Sequence, residues 1–198
     1  MNETKKDSIS IIVLAAGLST RFGRNKMLEQ VGNRTMVENV VAESLMSKAE
    51  HVIVVIGHEK EKVRKKLERY GCEFIWNEDY KRGQSTSVKK GLSGIDRDTR
   101  AVIVLPGDIA MVDHKIINAV IDEYLRSNSP IVAAAFRGHQ GHPILFDIKL
   151  LDEMKSIDED TQGLRRVVSD HKSEVRKVET SEGALIDVDW KADMTKLL

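Results

Sequence analysis

The chain has a single cysteine, Cys72, in 198 residues. One thiol excludes an internal disulfide and a cysteine-based zinc cluster, so Cys72 reads as a small buried apolar residue. An excess of charge is also missing. Lysine plus arginine and aspartate plus glutamate each number 31, for a net charge of zero. Nucleic-acid binders as a rule carry a basic surplus, and its lack argues against a DNA or RNA partner. No apolar run approaches the ~20 residues of a bilayer-spanning helix. The opening MNETKKDS is unlike a signal peptide, because a polar, glycine-bearing loop soon interrupts the apolar segment that follows. These absences point to a cytoplasmic protein without a membrane partner. The six histidines show no H-E-x-x-H spacing. No repeat, low-complexity tract or linker divides the chain, and residues 1–198 are expected to form one domain.

Strand-like and helix-like segments alternate instead. The run Ile9–Ala16 is continuous and β-branched, the pattern of a strand buried on both faces. His51–Gly57, Cys72–Trp76 and Ala101–Asp108 follow the same rule, and Pro130–Phe136 and His142–Phe146 read as two further strands around the loop RGHQG. Thr35–Met46 has apolar residues at helical spacing, with Thr35 and Glu38 placed as a capping box. Glu59–Tyr70 carries Val63, Leu67 and Tyr70 among many charges and reads as a helix with a solvated face. Ser85–Leu92 opens another helix, and Asp113 caps one whose inward face is Ile116, Ile117, Val120, Ile121 and Tyr124. Helical patterns at Leu150–Met154 and Leu164–Val168 precede strand-like SEVRKV and ALIDVDW. The whole is an α/β domain with a largely parallel sheet and helices on both faces.

The exit from the first strand, LAAGLSTRFGRNK (Leu14–Lys26), carries two glycines, two hydroxyls, two arginines and a lysine. Gly17 and Gly23 let the backbone turn sharply or approach a ligand. Arg21 and Lys26 put cations where a parallel sheet offers its ligand crevice, which points to an anionic guest, phosphate first. Neither common phosphate loop fits. A Walker A loop fails on spacing and has Arg24 in place of its lysine, and G-x-G-x-x-G fails because position 19 is serine. The bland alternative is a flexible surface loop.

The loop resembles the signature LAAG-x-S-x-R-x-G-x-x-K of the molybdenum-cofactor nucleotidyltransferases and their cytidylyltransferase relatives. Four further segments resemble that family in order: GQSTSVKKGL (Gly83–Leu92), LPGD (Leu105–Asp108), GHPILF (Gly141–Phe146) and DVDWKAD (Asp187–Asp193). The resemblance implies a three-layer α/β/α sandwich with a mostly parallel mixed sheet, the Rossmann-like nucleotide-diphospho-sugar transferase fold. It implies transfer of a nucleoside monophosphate from a triphosphate to the phosphate of an acceptor, with release of pyrophosphate. In that reading the backbone of Leu14, Ala15, Ala16 and Gly17 lines the base, Ser19 belongs to the same nucleotide loop, and Ser85 and Ser87 lie near base or ribose. Arg21 and Lys26 grip the triphosphate. Asp108 and Asp189 hold Mg²⁺, and His142 stands near the acceptor. The bland readings are helix capping for the two serines and a packed strand residue for His142.

Such a transfer needs aligned oxygens and neutralised phosphoryl charge rather than a protein nucleophile, and the chain shows no Ser-His-Asp or Cys-His set. The implied substrates are CTP and a molybdopterin-type acceptor, with a molybdoenzyme or its chaperone receiving the product. Ala16, where guanylyl-transferring relatives have a second glycine, favours CTP over GTP. Asp187 and Asp189 would face the same side of a regular strand, so spacing alone leaves the choice between them open. The chain departs from the pattern at Ile109 and Ala110, at Trp190 and Lys191, and at Thr161, all in loops that would shape the acceptor pocket. The alternatives are a guanylyltransferase, a sugar-phosphate or methylerythritol-phosphate nucleotidyltransferase, and a nucleotide-binding regulator without turnover.

Overall fold

The computed structural model describes residues 8–187. Nine strands lie within them: β1 (Ser8–Ala15), β2 (Gln30–Val31), β3 (Arg34–Thr35), β4 (His51–Ile56), β5 (Glu73–Trp76), β6 (Thr99–Pro106), β7 (Ile131–Phe136), β8 (His139–Asp147) and β9 (Val175–Glu179). Six α-helices connect them: α1 (Met36–Leu45), α2 (Lys60–Leu67), α3 (Gln84–Leu92), α4 (His114–Ser127), α5 (Leu151–Ser156) and α6 (Leu164–Asp170).

Seven strands form one sheet in the order β5-β4-β1-β6-β8-β7-β9, and β2 and β3 make a small separate hairpin. All neighbours in the large sheet are parallel except where β8 runs antiparallel to β6 and β7. The five-residue loop expected between β7 and β8 is shorter. Phe136 pairs with His139, and Arg137 and Gly138 alone turn the chain, both at positive φ (50° and 77°). That is the geometry of a two-residue turn whose twist matches its strands.

Burial on both faces explains the β-branched runs. Along β1, Ile9, Ile11, Val13 and Ala15 pack with residues of α1, α2 and α4. Ile12 and Leu14 pack on the other face with α3, α5 and α6. The result is the three-layer α/β/α sandwich, mostly parallel but mixed. Asp113 caps α4 through its carboxylate, which accepts the Ile116 amide at 2.9 Å. Glu38 takes both the amide (2.8 Å) and the hydroxyl (2.6 Å) of Thr35 at the start of α1. All five residues assigned to the inward face of α4 are buried. Cys72 is half-buried against the core, and burial pushes its thiol pKa up.

One expected strand does not form within the described residues. Glu182–Ala184 is a single 3-10 turn, and Leu185–Asp187 is not in a strand. Gly183 and Gly141 set this path, since a Cβ on either would collide with a carbonyl, of Met111 or of Ala184 respectively. The sheet's topology fixes the functional end. From β1 the chain moves outward through β4 and β5, then returns to lay β6 on the other side of β1. The carboxyl ends of β1 and β6 flank that reversal, where open α/β sheets bind ligands.

Candidate active site

A cleft of about 960 Å³ opens at this reversal, near the upper end of the usual range for small-molecule sites. The loop after β1 forms one wall and is held by its own backbone. Ser19, at φ 53°, accepts the amides of Phe22 (3.0 Å) and Gly23 (3.2 Å) on its carbonyl and that of Lys26 (3.2 Å) on its hydroxyl. Phe22 anchors the loop by packing with Met36 and Ala110. Asn25, 4% exposed, accepts the Met27 amide at 3.1 Å and donates to the His58 carbonyl at 3.3 Å. Lys26 is thereby fixed at the head of a 3-10 turn. This loop carries its own hydrogen-bond framework.

The Gly107 amide donates to the Leu14 carbonyl at 3.0 Å, clasping the ends of β1 and β6 together. Asp108 therefore emerges beside the loop, and its carboxylate forms an ion pair with the Lys26 ammonium; the two side chains are 13% and 12% exposed. Arg21 lines the same cleft. A largely shielded cation–anion pair in a cleft also lined by an arginine is a place where phosphate oxygens gain charge-assisted hydrogen bonds in a reduced dielectric.

The structure brings together Leu14, Ala16, Gly17, Ser19, Arg21 and Lys26 with Ser85, Ser87, Asp108 and His142, all lining the cleft. Ala15 does not line it; this residue is wholly buried beneath the loop. Individual roles change. Gly23 adopts the positive φ (82°) that its type allows, whereas Gly17 does not turn left-handed and faces open space. The methyl of Ala16 is buried, and a Cβ on Gly57 would meet it at 2.8 Å, so it packs against the backbone of the neighbouring strand end. Neither serine caps α3, whose N-cap is Gly83. The Ser87 hydroxyl accepts from the buried Asn77 carboxamide at 2.9 Å, while the Ser85 hydroxyl is buried without a hydrogen-bond partner.

His142 lies on β8, with Nδ1 buried and lacking a partner. Burial pushes its pKa below the usual imidazole value; the Asp108 carboxylate opposes that shift and the Arg165 guanidinium reinforces it. The ring is therefore neutral near pH 7. Arg165 and Glu159 also line the cleft and are not among the residues singled out from the sequence, where only nearby Thr161 is named. The signal available was an arginine two residues beyond a glycine opening a helix. Gly163 stands at that opening with φ 58°.

Asp187 reaches the cleft as well. Asp189, the other proposed metal ligand, lies outside the described residues, as do Trp190 and Lys191. Among the described residues no group of three or more histidine, cysteine, aspartate or glutamate side chains could hold a metal. A hard cation such as Mg²⁺ asks for less, one or two carboxylates with substrate phosphates completing its shell. Asp108 and Asp187 on one cleft fit that donor chemistry. Among the described residues no helix is long and apolar enough to cross a membrane.

A model of the MobA-like NTP transferase domain matches residues 11–175. Of curated proteins, Bifunctional protein GlmU of Rhodococcus jostii is 32% identical over 133 residues, which are 61% of this chain and 26% of that protein. The chain thus spans about a quarter of the length of that relative. Rv0371c from Mycobacterium tuberculosis H37Rv superposes with a TM-score of 0.86 at 24% identity, over 96% of this chain and 97% of that one. Rv0371c has also been solved in complex with manganese. The 4-diphosphocytidyl-2C-methyl-D-erythritol synthase of Anaerococcus prevotii superposes at 0.76 with 18% identity, over 96% and 94%. At these identities the two structures establish the shared fold.

Proposed function

The chain belongs to the MobA-like NTP transferase domain family, and from that membership we propose that it transfers CMP from CTP to the phosphate of a molybdopterin-type acceptor, releasing pyrophosphate. The observation that carries the reading is the shielded Lys26–Asp108 pair, beside Arg21 in a cleft of about 960 Å³. The coarser conclusion, a nucleotidyltransferase, follows from the family itself. CTP and the acceptor are the finer proposal.

In this reading Arg21 and Lys26 hold the triphosphate, and the loop backbone from Leu14 to Gly17 lines the base. Ser85 offers its unpartnered hydroxyl to the nucleotide. Ser87 contributes by holding the start of α3 in place through Asn77. Asp108 with Asp189 would hold Mg²⁺, and Asp187 is the neighbouring carboxylate that the fold already brings into the cleft. Bound there, Mg²⁺ neutralises charge on the phosphoryl oxygens. Lys26 adds a positive charge already oriented before the reaction begins, which favours a transition state over a merely bound substrate. His142, kept neutral by burial, and Arg165 face the acceptor. Residues 1–198 act as one such domain, and a molybdoenzyme or its chaperone receives the product.

A second reading draws on the synthase of Anaerococcus prevotii and on GlmU: transfer to a methylerythritol phosphate or a sugar phosphate. Use of GTP is a further variant, which the buried Ala16 methyl does not oppose by crowding. Incubation with each nucleoside triphosphate, Mg²⁺ and one acceptor at a time, followed by mass spectrometry of the products, separates these. A CMP adduct of molybdopterin is the expected product. A GMP adduct would replace the nucleotide, and adducts confined to the other phosphates would replace the acceptor.

A further inference from the structure

Glu159, just after α5, spans the cleft to the start of α3. Its Oε1 accepts the Ser85 amide at 2.6 Å, across 74 positions of sequence. The side chain lies directly on Gly83, where any Cβ would collide with its Cγ and Cδ, so the contact depends on that glycine. Beside it the Ser85 hydroxyl is buried and unpartnered and lines the same cleft as Leu14 and Gly17. An orphaned buried hydroxyl is costly until a ligand satisfies it. Among the described residues Oε2 of Glu159 has no hydrogen-bond partner.

A helix start ordinarily attracts an anion. Here a carboxylate of the protein already occupies that position. It repels phosphate and, being an acceptor only, welcomes hydrogen-bond donors. On the proposed reading the triphosphate lies at Arg21 and Lys26, which leaves the base at the α3 end of the cleft. We infer that Glu159 is a specificity-determining residue for the nucleobase: Oε2 accepts a hydrogen bond from an exocyclic amine, as on cytosine, and rejects a carbonyl at that position, as on uracil. This rests on the reading of the chain as a nucleotidyltransferase and adds to it a side chain that reads the base. Guanine also carries an amine, so Glu159 separates amino-bearing bases from uracil and leaves CTP against GTP to the shape of the cleft.

Calorimetric titration of Mg²⁺-CTP and Mg²⁺-UTP into the full chain tests the inference, with wild type, Glu159→Ala and Glu159→Gln in parallel. Wild type is expected to prefer CTP by about tenfold or more, because a carboxylate oxygen accepts from an amine and repels a carbonyl oxygen set against it. Glu159→Ala should lose that preference mainly through weaker CTP binding. Glu159→Gln keeps an oxygen for the Ser85 amide and presents N–H groups, so its preference should move towards UTP. The side chain is exposed, and thermal melts of the variants should match wild type. An unchanged CTP-to-UTP ratio in both variants overturns the inference. So does equal tightening of both nucleotides in Glu159→Ala, which would make the side chain a plug. Wild type that binds no nucleotide at all defeats the nucleotidyltransferase reading along with this one, and is recognised without any variant.

Discussion

The two walls of the cleft are built in different ways. The wall formed by the loop after β1 comes from one continuous stretch, and its own hydrogen bonds hold it: Ser19 caps Phe22, Gly23 and Lys26, and Asn25 fixes the turn that follows. The opposite wall is assembled from three separate parts, the start of β8, the segment 162–165 and Asp187. Its shape depends on tertiary contacts such as the packing of Gly141 against Ala184. A self-supporting loop suits a substrate part common to many enzymes, here a nucleotide. A composite wall can change piece by piece and suits the variable acceptor.

The largest effect should come from breaking the first wall's charge pair. Lys26→Ala is expected to lower kcat by about 10²–10³-fold while CTP affinity changes far less. If only KM rises, the lysine serves docking alone. Asp108→Asn and Asp189→Asn should each abolish Mg²⁺-dependent turnover with unchanged melting, and Asp187→Asn should be milder. The reverse order for Asp187 and Asp189 would move the metal ligand to the acid that the cleft already contains.

Next in size is Arg165→Ala, aimed at the second wall. Losing a charge-assisted contact to an acceptor phosphate should raise the acceptor KM by about tenfold, with CTP binding unaltered. A matching loss of CTP affinity would erase the division between the walls. Gly141→Ala is smaller and structural: forcing a methyl against the Ala184 carbonyl should cost about 1–3 kcal/mol, read as a lowered Tm, and should weaken acceptor use more than nucleotide binding.

The smallest effect concerns pH. His171 ties α5 to the chain after α6, with Nδ1 2.9 Å from Glu174 and Nε2 2.9 Å from Glu153. Hydrogen bonds to Glu174 and then Glu153 raise its pKa above the usual imidazole value of 6.5. A raised folded-state pKa contributes stability that is full below the unfolded value and is lost as pH rises through the folded one. Wild type should therefore melt above His171→Gln by about 1–3 °C below pH 6, and the gap should close in alkaline buffer.

The same contrast governs what could be read from sequence. The seven strands of the large sheet, the helix faces and the caps at Thr35 and Asp113 were legible because each follows from local periodicity and side-chain chemistry; the short β2–β3 hairpin was not. Legible too was the loop from Leu14 to Lys26, most of which lines the cleft as one continuous stretch. Within it the roles of single residues were less so: Ser19 serves the loop's own backbone, and Ala15 is buried below it. Ser87 is bound by Asn77 through a contact that no spacing reveals. Glu159 and Arg165 escaped notice because in sequence they sit in an ordinary charged stretch, and only packing carries them to α3 and His142. Of the strand expected over 184–190, the described residues 184–187 are in no strand, and Gly183 just before them passes close to the Met111 carbonyl.

The central claim is that nucleotide held by one wall reacts with an acceptor held by the other. Pyrophosphate release from Mg²⁺-CTP, measured with and without a molybdopterin-type acceptor, tests it most directly. Release that requires acceptor and matches CTP consumption is the predicted result. Tight CTP binding with no pyrophosphate released, whichever phosphorylated acceptor is supplied, would contradict it and leave a nucleotide-binding regulator.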